Sequence, residues 1–145
     1  MLITKEIEID MAHRVPNHKS KCRTPHGHRY RIEVGVDDKK IQDAGSSSEG
    51  MVIDFSDLKE VMMEVIDEPY DHSGVFYEGD PKTLAIEELY EGSPKKPAFV
   101  SFIPTAENLA QWWYVLLAPK LKERGVKIKH VKVWETPTST ATYEL

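Results

Sequence analysis

The chain has 145 residues, 40% hydrophobic and 30% charged, the size and balance of one folded domain spanning 1–145. Its 24 acids against 19 bases give a formal net charge of -5, which argues against a general nucleic-acid or membrane surface. No apolar run is long enough for a bilayer, the N-terminus has no signal-peptide block, and the lone Cys22 excludes an intrachain disulfide framework, so a cytoplasmic protein is expected.

Residues 3 to 11 read as a strand, with Ile3, Ile7, Ile9 and Met11 on one face. Residues 16 to 25 are polar, carry Pro16 and Pro25, and read as a loop. A second strand follows from 28 to 36, where Tyr30, Ile32, Val34 and Val36 alternate with Arg29, Arg31 and Glu33. The polar, Gly/Ser-rich stretch 37 to 50 reads as a connection and is compatible with the tip of a long hairpin. Asp54 caps a helix over about 55 to 67, whose Phe55, Leu58, Met62, Val65 and Ile66 face the core and which Pro69 ends. Residues 73 to 98 are rich in Gly and Pro and read as an excursion holding one short helix, Thr83 to Tyr90. Thr105 caps a second long helix with the stripe Leu109, Trp112, Trp113, Leu116 and Leu117; Pro119 is expected to interrupt it and Gly125 to stop it. Strands at 126 to 135 and 140 to 145 complete a ββααββ order. That order predicts an α+β domain with a four-stranded antiparallel sheet and two helices on one face.

Four of six histidines, His13, His18, His26 and His28, fall close together around Cys22. In an extended segment, His26 and His28 point to one face, and His13 shares the parity of Ile9 and Met11. If the two strands pair, three imidazoles converge, the ligand set of catalytic zinc with one open position. Two plainer readings stand beside this one. His13 is then a hydrogen-bonded core residue and His-Gly-His a turn, or Cys22 closes a structural His3Cys site. A thiol left free beside a cation would instead be reactive. From Met11 to Ile32 the chain holds Arg14, Lys19, Lys21, Arg23, Arg29 and Arg31 and no acid, a charge balance suited to a phosphate ester. Arg29 and Arg31 read better as a solvated strand face.

Asp71 beside His72 is a candidate carboxylate-imidazole pair for acid/base work, or a surface turn. Glu135 is an acid in a strand whose other odd positions are Val131 and Val133. It either clamps a ligand with paired N–H donors or sits in solvent at the strand end. His18 and His130 read as surface residues.

Six motifs occur together: Ala12-His13-Arg14, Cys22-Arg23-Thr24-Pro25-His26-Gly27-His28, Gly50 to Phe55, Asp71-His72, Pro104 to Asn108, and Glu135-Thr136. In this order the chain resembles the 6-pyruvoyl-tetrahydropterin synthase / 6-carboxytetrahydropterin synthase family over almost its whole length. The resemblance implies a tunnelling fold (T-fold) and trimers paired into hexamers, with active sites at subunit interfaces. It implies that His13, His26 and His28 bind Zn2+, that Cys22 is the catalytic base, and that Asp71 and His72 relay a proton. Glu135 would hold the pterin ring, helped by Thr105 and the backbone near Glu107. Arg14, Lys19, Lys21 and Arg23 would meet the triphosphate of 7,8-dihydroneopterin triphosphate.

Cys22 stands four positions before His26, as in the bacterial 6-carboxytetrahydropterin synthases of queuosine (7-deazaguanine) biosynthesis; the animal pyruvoyl enzymes have a longer gap. The expected reaction is therefore the lyase that forms 6-carboxy-5,6,7,8-tetrahydropterin, acetaldehyde and triphosphate. The alternatives are pyruvoyl-tetrahydropterin synthesis, and a non-catalytic zinc-stabilised binding module. Two features depart from the family pattern. Asp71-His72 runs on into Ser73-Gly74-Val75-Phe76, where the family has a leucine followed by Asn or Asp, and the excursion is longer than in compact members.

Overall fold

The computed structural model describes residues 1–38 and 41–145, so part of the expected hairpin tip at 37 to 50 lies outside the described residues. Strand β1 (Leu2–His13) pairs antiparallel with β2 (His26–Asp37) along its whole length, from Leu2 opposite Asp37 to His13 opposite His26. This register is what the side-chain alternation demands: Ile7, Ile9 and Met11 meet Ile32, Tyr30 and His28 on the buried face. Beyond the described gap, Gln42 N–H donates to Met51 O at 2.8 Å, closing a local loop rather than a long hairpin.

Asp54 caps α1 (Phe55–Met62) by accepting from the Ser56 amide. Leu58, Val61 and Met62 are buried, but Phe55, expected in the core, is 54% exposed at the first helical position. The helix does not end at Pro69. It widens into a π-type turn at Met63–Asp67, in which Glu68 N–H reaches Met63 O, and then closes in α2 (Glu68–Tyr70). Widening just before proline relieves the clash between its ring and the preceding turn.

The largest difference from the expected sheet lies in the excursion. It contributes β3 (Ser73–Tyr77) and β4 (Ala98–Val100), with α3 (Thr83–Leu89) between them. β3 pairs parallel with β1 at Met11–His13, and β4 pairs parallel with β3. The sheet is therefore six-stranded and mixed, in the order β4-β3-β1-β2-β5-β6.

Helix α4 (Ala106–Glu123) is capped by Thr105 and continues past Pro119. The carbonyl that proline leaves unpaired belongs to Val115, which is exposed and can bond water, while Trp113, Leu117 and Leu121 are buried on the other side. Each such fully buried apolar side chain stabilises by about 1.5–3 kcal/mol, enough to carry the helix past the proline. β5 (Lys127–Thr136) and β6 (Ser139–Glu144) complete the sheet. Among the described residues no helix is long and apolar enough to cross a membrane.

Candidate active site

The β1–β2 ladder brings His13 and His26 directly opposite one another, and His28 lies two residues along the same face. Gly27 permits this approach: a Cβ there would stand 3.3 Å from Met11 O. The ligand atoms of His13, His26 and His28 all lie within 4.8 Å of one another.

Their hydrogen bonds set the tautomers. His13 Nδ1 faces Pro104 O at 2.7 Å, and His26 Nδ1 faces Thr24 O at 2.6 Å. A carbonyl only accepts, so in each neutral ring Nδ1 carries the proton and Nε2 a lone pair. Those two Nε2 atoms are 3.0 Å apart. Two lone pairs at that distance repel unless a cation or a proton lies between them. His28 Nε2 is buried and has no hydrogen-bond partner. Burial holds the pKa of His13 below 6.5, and the nearby His26 and His28 add to this against opposing effects of Pro104 O and Glu135. Burial also lowers His28, against the charge of Glu135. Neutral imidazoles with inward lone pairs are the form that binds a metal.

Glu135 reaches the site through a backbone irregularity. Trp134 pairs with Thr140 and Thr136 with Ser139, so Glu135 is the extra residue of a β-bulge. Its Oε1 lies 3.8 Å from His28 Nε2. A cleft of about 300 Å³ is lined by His28 and Glu135 together with Glu8, Arg29, Arg31 and Trp134. Of the triad only His28 lines this cleft, and larger clefts among the described residues, as beside α3, are lined by none of the three histidines. Below the histidines, Tyr30 packs edge-on against His13 and His28, and its hydroxyl is buried without a partner. Burial and the charge of Glu135 push this phenol far up.

Cys22 is half-buried in the single turn Lys21–Arg23, which is tied to the end of β1 by Val15 N–H donating to Cys22 O at 2.9 Å. Among the described residues the ligand group is the three histidines without Cys22, so the closed His3Cys arrangement is not assembled. Lys19, Lys21 and Arg23 are exposed on this loop. Arg14 is not. It is 8% exposed, and its Nε lies 2.6 Å from Asp80 Oδ2, so it is not free to meet a phosphate as its charge alone suggested.

Asp71 and His72 stand apart from the triad, beside Asp10. Asp71 Oδ1 accepts from the Asp10 amide at 2.9 Å, and its Oδ2 faces His72 Nδ1 at 2.9 Å. Burial works to raise the Asp71 pKa, but the Asp10 amide, His72 and Lys95 together outweigh it and hold the carboxyl low. His72 N–H donates to Asp10 O at 2.7 Å, and its φ of 59° is a left-handed conformation that costs a residue other than glycine about 1–3 kcal/mol. The imidazole is 73% exposed in the single chain. Thr105 Oγ1 caps α4 by accepting from Asn108 N–H, and Glu107 is exposed in the first turn.

Sequence reasoning missed Pro104 and Thr24, which act through main-chain carbonyls that no side-chain pattern reveals. It also missed Tyr30, read only as a core position, and Asp80. His130, read as a surface residue, is largely buried and faces Glu33 Oε1 at 2.7 Å.

The family described as 6-pyruvoyl tetrahydropterin synthase matches this chain over residues 2–145. A 6-carboxy-5,6,7,8-tetrahydropterin synthase from Haemophilus influenzae is 33% identical over 142 residues, covering 98% of this chain and 97% of its own. An uncharacterized protein from Wolinella succinogenes has a crystal structure with a TM-score of 0.81 at 25% identity, covering 99% of this chain and 97% of the other. The 6-pyruvoyl tetrahydropterin synthase of Caenorhabditis elegans shares the fold, with a TM-score of 0.69 at 23% identity over 100% of this chain and 95% of its own. The T-fold expectation therefore holds, with β3 and β4 added to the four antiparallel strands. From the full-length match and the identity to the Haemophilus relative, the chain belongs to the 6-pyruvoyl tetrahydropterin synthase family.

Proposed function

We propose that the chain is a zinc-dependent 6-carboxy-5,6,7,8-tetrahydropterin synthase of 7-deazaguanine (queuosine) biosynthesis, working in the cytoplasm. It converts 7,8-dihydroneopterin triphosphate and water to 6-carboxytetrahydropterin, acetaldehyde and triphosphate. The observation that carries this reading is the unmet triad: two Nε2 lone pairs 3.0 Å apart and a third buried Nε2 without a partner, beside a bulged carboxylate. The four-residue step from Cys22 to His26 and the name of the Haemophilus relative favour the carboxy product.

His13, His26 and His28 would hold the metal, and their donor set of three imidazoles fits zinc with an open position. Zinc there supplies Lewis acidity to side-chain hydroxyls and makes neighbouring carbon-bound protons easier to remove. Glu135 accepts the paired N–H donors of the pterin edge, and Thr105 and the backbone near Glu107 help to seat the ring. Cys22, as thiolate, takes the side-chain proton. Asp71 holds the Nδ1–H of His72 and stabilises its imidazolium, so that Nε2 can take up a proton and then return it to the substrate. Lys21 and Arg23, exposed beside Cys22, bind the triphosphate. Asp71-His72 is separate from the triad within one chain. This supports a homo-oligomer, a dimer of trimers, in which a neighbouring copy brings the pair to the triad.

The test is product analysis on 7,8-dihydroneopterin triphosphate. Stoichiometric acetaldehyde supports the carboxy-forming lyase. Triphosphate release without acetaldehyde contradicts it and leaves the pyruvoyl reaction. No turnover by a zinc-loaded protein contradicts both.

A further inference from the structure

We propose that Arg14 and Asp80 are a positioning pair that locks the metal-ligating end of β1 to the segment 77–98, and so keeps His13 in ligating geometry. This rests on the reading of the triad as a metal site.

Arg14 is the first residue past the end of β1, where both ladders stop: His13 is opposite His26 on one side and Val75 on the other. A strand end frays unless something anchors it. The anchor here is Asp80, in the turn that leads from β3 into α3. Its two carboxylate oxygens do different work. Oδ1 accepts from Lys82 N–H at 2.8 Å, which shapes the turn, and Oδ2 stands 2.6 Å from Arg14 Nε. The Arg14 contact is bent rather than a straight hydrogen bond, so the attraction is between charges. Asp80 is fully enclosed at its side chain, and Arg14 shows only 10%. A pair this buried does not persist when one partner loses its charge, because the other is left uncompensated away from water.

The consequence reaches His13 through one peptide bond. His13 Nδ1 must stay on Pro104 O for Nε2 to face the pocket. If Arg14 leaves in search of water, the end of β1 moves with it. The segment 77–98 is thereby part of the metal site's support, although it supplies no ligand. Groups that orient ligands from outside the ligand shell commonly alter metal affinity about 10–100-fold.

The test uses Asp80→Asn in the full-length protein. Asparagine keeps an acceptor for Lys82 N–H and removes only the charge facing Arg14. Zinc affinity is read by competition with a chromophoric chelator, and ligand geometry by the visible spectrum of the Co2+ form. We expect zinc binding about tenfold weaker or worse, with an altered Co2+ spectrum. Removing the orphaned cation as well, in Arg14→Met/Asp80→Asn, restores affinity to within about threefold. If Asp80→Asn does not fold, Arg14→Lys reads the same effect at smaller size, about threefold, because it keeps charge but loses the planar geometry. Leu121→Ala, a buried residue at the far end of α4, lowers the Tm and leaves zinc affinity unchanged. Wild-type affinity and spectrum in the single variants Asp80→Asn and Arg14→Lys overturn the proposal. So does an equal loss of affinity in Leu121→Ala, which would make the effect one of general stability. A wild-type protein that binds no zinc overturns the metal reading itself, a result distinct from either.

Discussion

Two groups of side chains in this molecule bring potential metal ligands within 4.8 Å: His13 with His26 and His28, and Asp10 with Asp71 and His72. By proximity they are equals. By chemistry they are not. In the second group the carboxylates are already engaged: both Asp10 oxygens hold Arg29, and Asp71 holds the Asp10 amide and His72. In the first group two lone pairs face each other, a third ring nitrogen has no partner, and the far nitrogens are pinned by carbonyls. Closeness alone does not mark a metal site. Buried donors held in place with their lone pairs unmet do so, because such an arrangement is costly until a cation arrives.

The sharpest way to break this contrast is His26→Ala. Loss of an outer partner already costs metal affinity about 10–100-fold, so loss of a ligand costs more than about a hundredfold, and turnover goes with it. Next come Cys22→Ala and His72→Ala, each expected to lower turnover about 10²–10⁴-fold with zinc content unchanged, since the proposed mechanism uses them as base and acid and not as ligands. Zinc loss in His72→Ala would erase the distinction between the two groups. A smaller effect is expected away from both. A Cβ at Gly35 would stand 2.2 Å from the His130 ring, so Gly35→Ala should cost about 1–3 kcal/mol by thermal unfolding and leave zinc binding intact. The smallest effect is on pH dependence. His13 and His28 have folded pKa values below 6.5, so the unfolded chain takes up protons first. Stability of the metal-free protein is then level above that pH and falls as pH drops through it toward the folded values. The slope is at most about 1.4 kcal/mol per pH unit for each imidazole. A metal-free protein that grows more stable on acidification across that range would contradict the assignment of neutral, buried rings.

Much of this contrast is legible in the residues themselves. Parity along β1 and β2 places His13, His26 and His28 on one face, because a strand repeats every two residues and the same parity buries Ile9 and Tyr30. The caps at Asp54 and Thr105 are legible for a similar reason, since the hydrogen bond is local. What is not legible depends on distant partners. Arg14 reads as a phosphate-binding base because its neutralising acid, Asp80, lies far along the chain. β3 and β4 are short and embedded among glycines and prolines, and they become strands only by pairing beside β1. Phe55 follows helical spacing but falls outside the buried stripe, and Pro119 reads as a break because the packing that carries α4 past it comes from the sheet. Glu135 stands out in sequence as an acid among valines, whereas the bulge that aims it is seen only once β6 is paired.

The central claim is that the unmet triad is a metal centre from which Cys22 stays free. It is tested most directly by zinc content per chain after dialysis, for the wild type, Cys22→Ala and His26→Ala. One zinc in the first two and none in the third is the predicted result. Zinc absent from the wild type, or lost with Cys22, would contradict it.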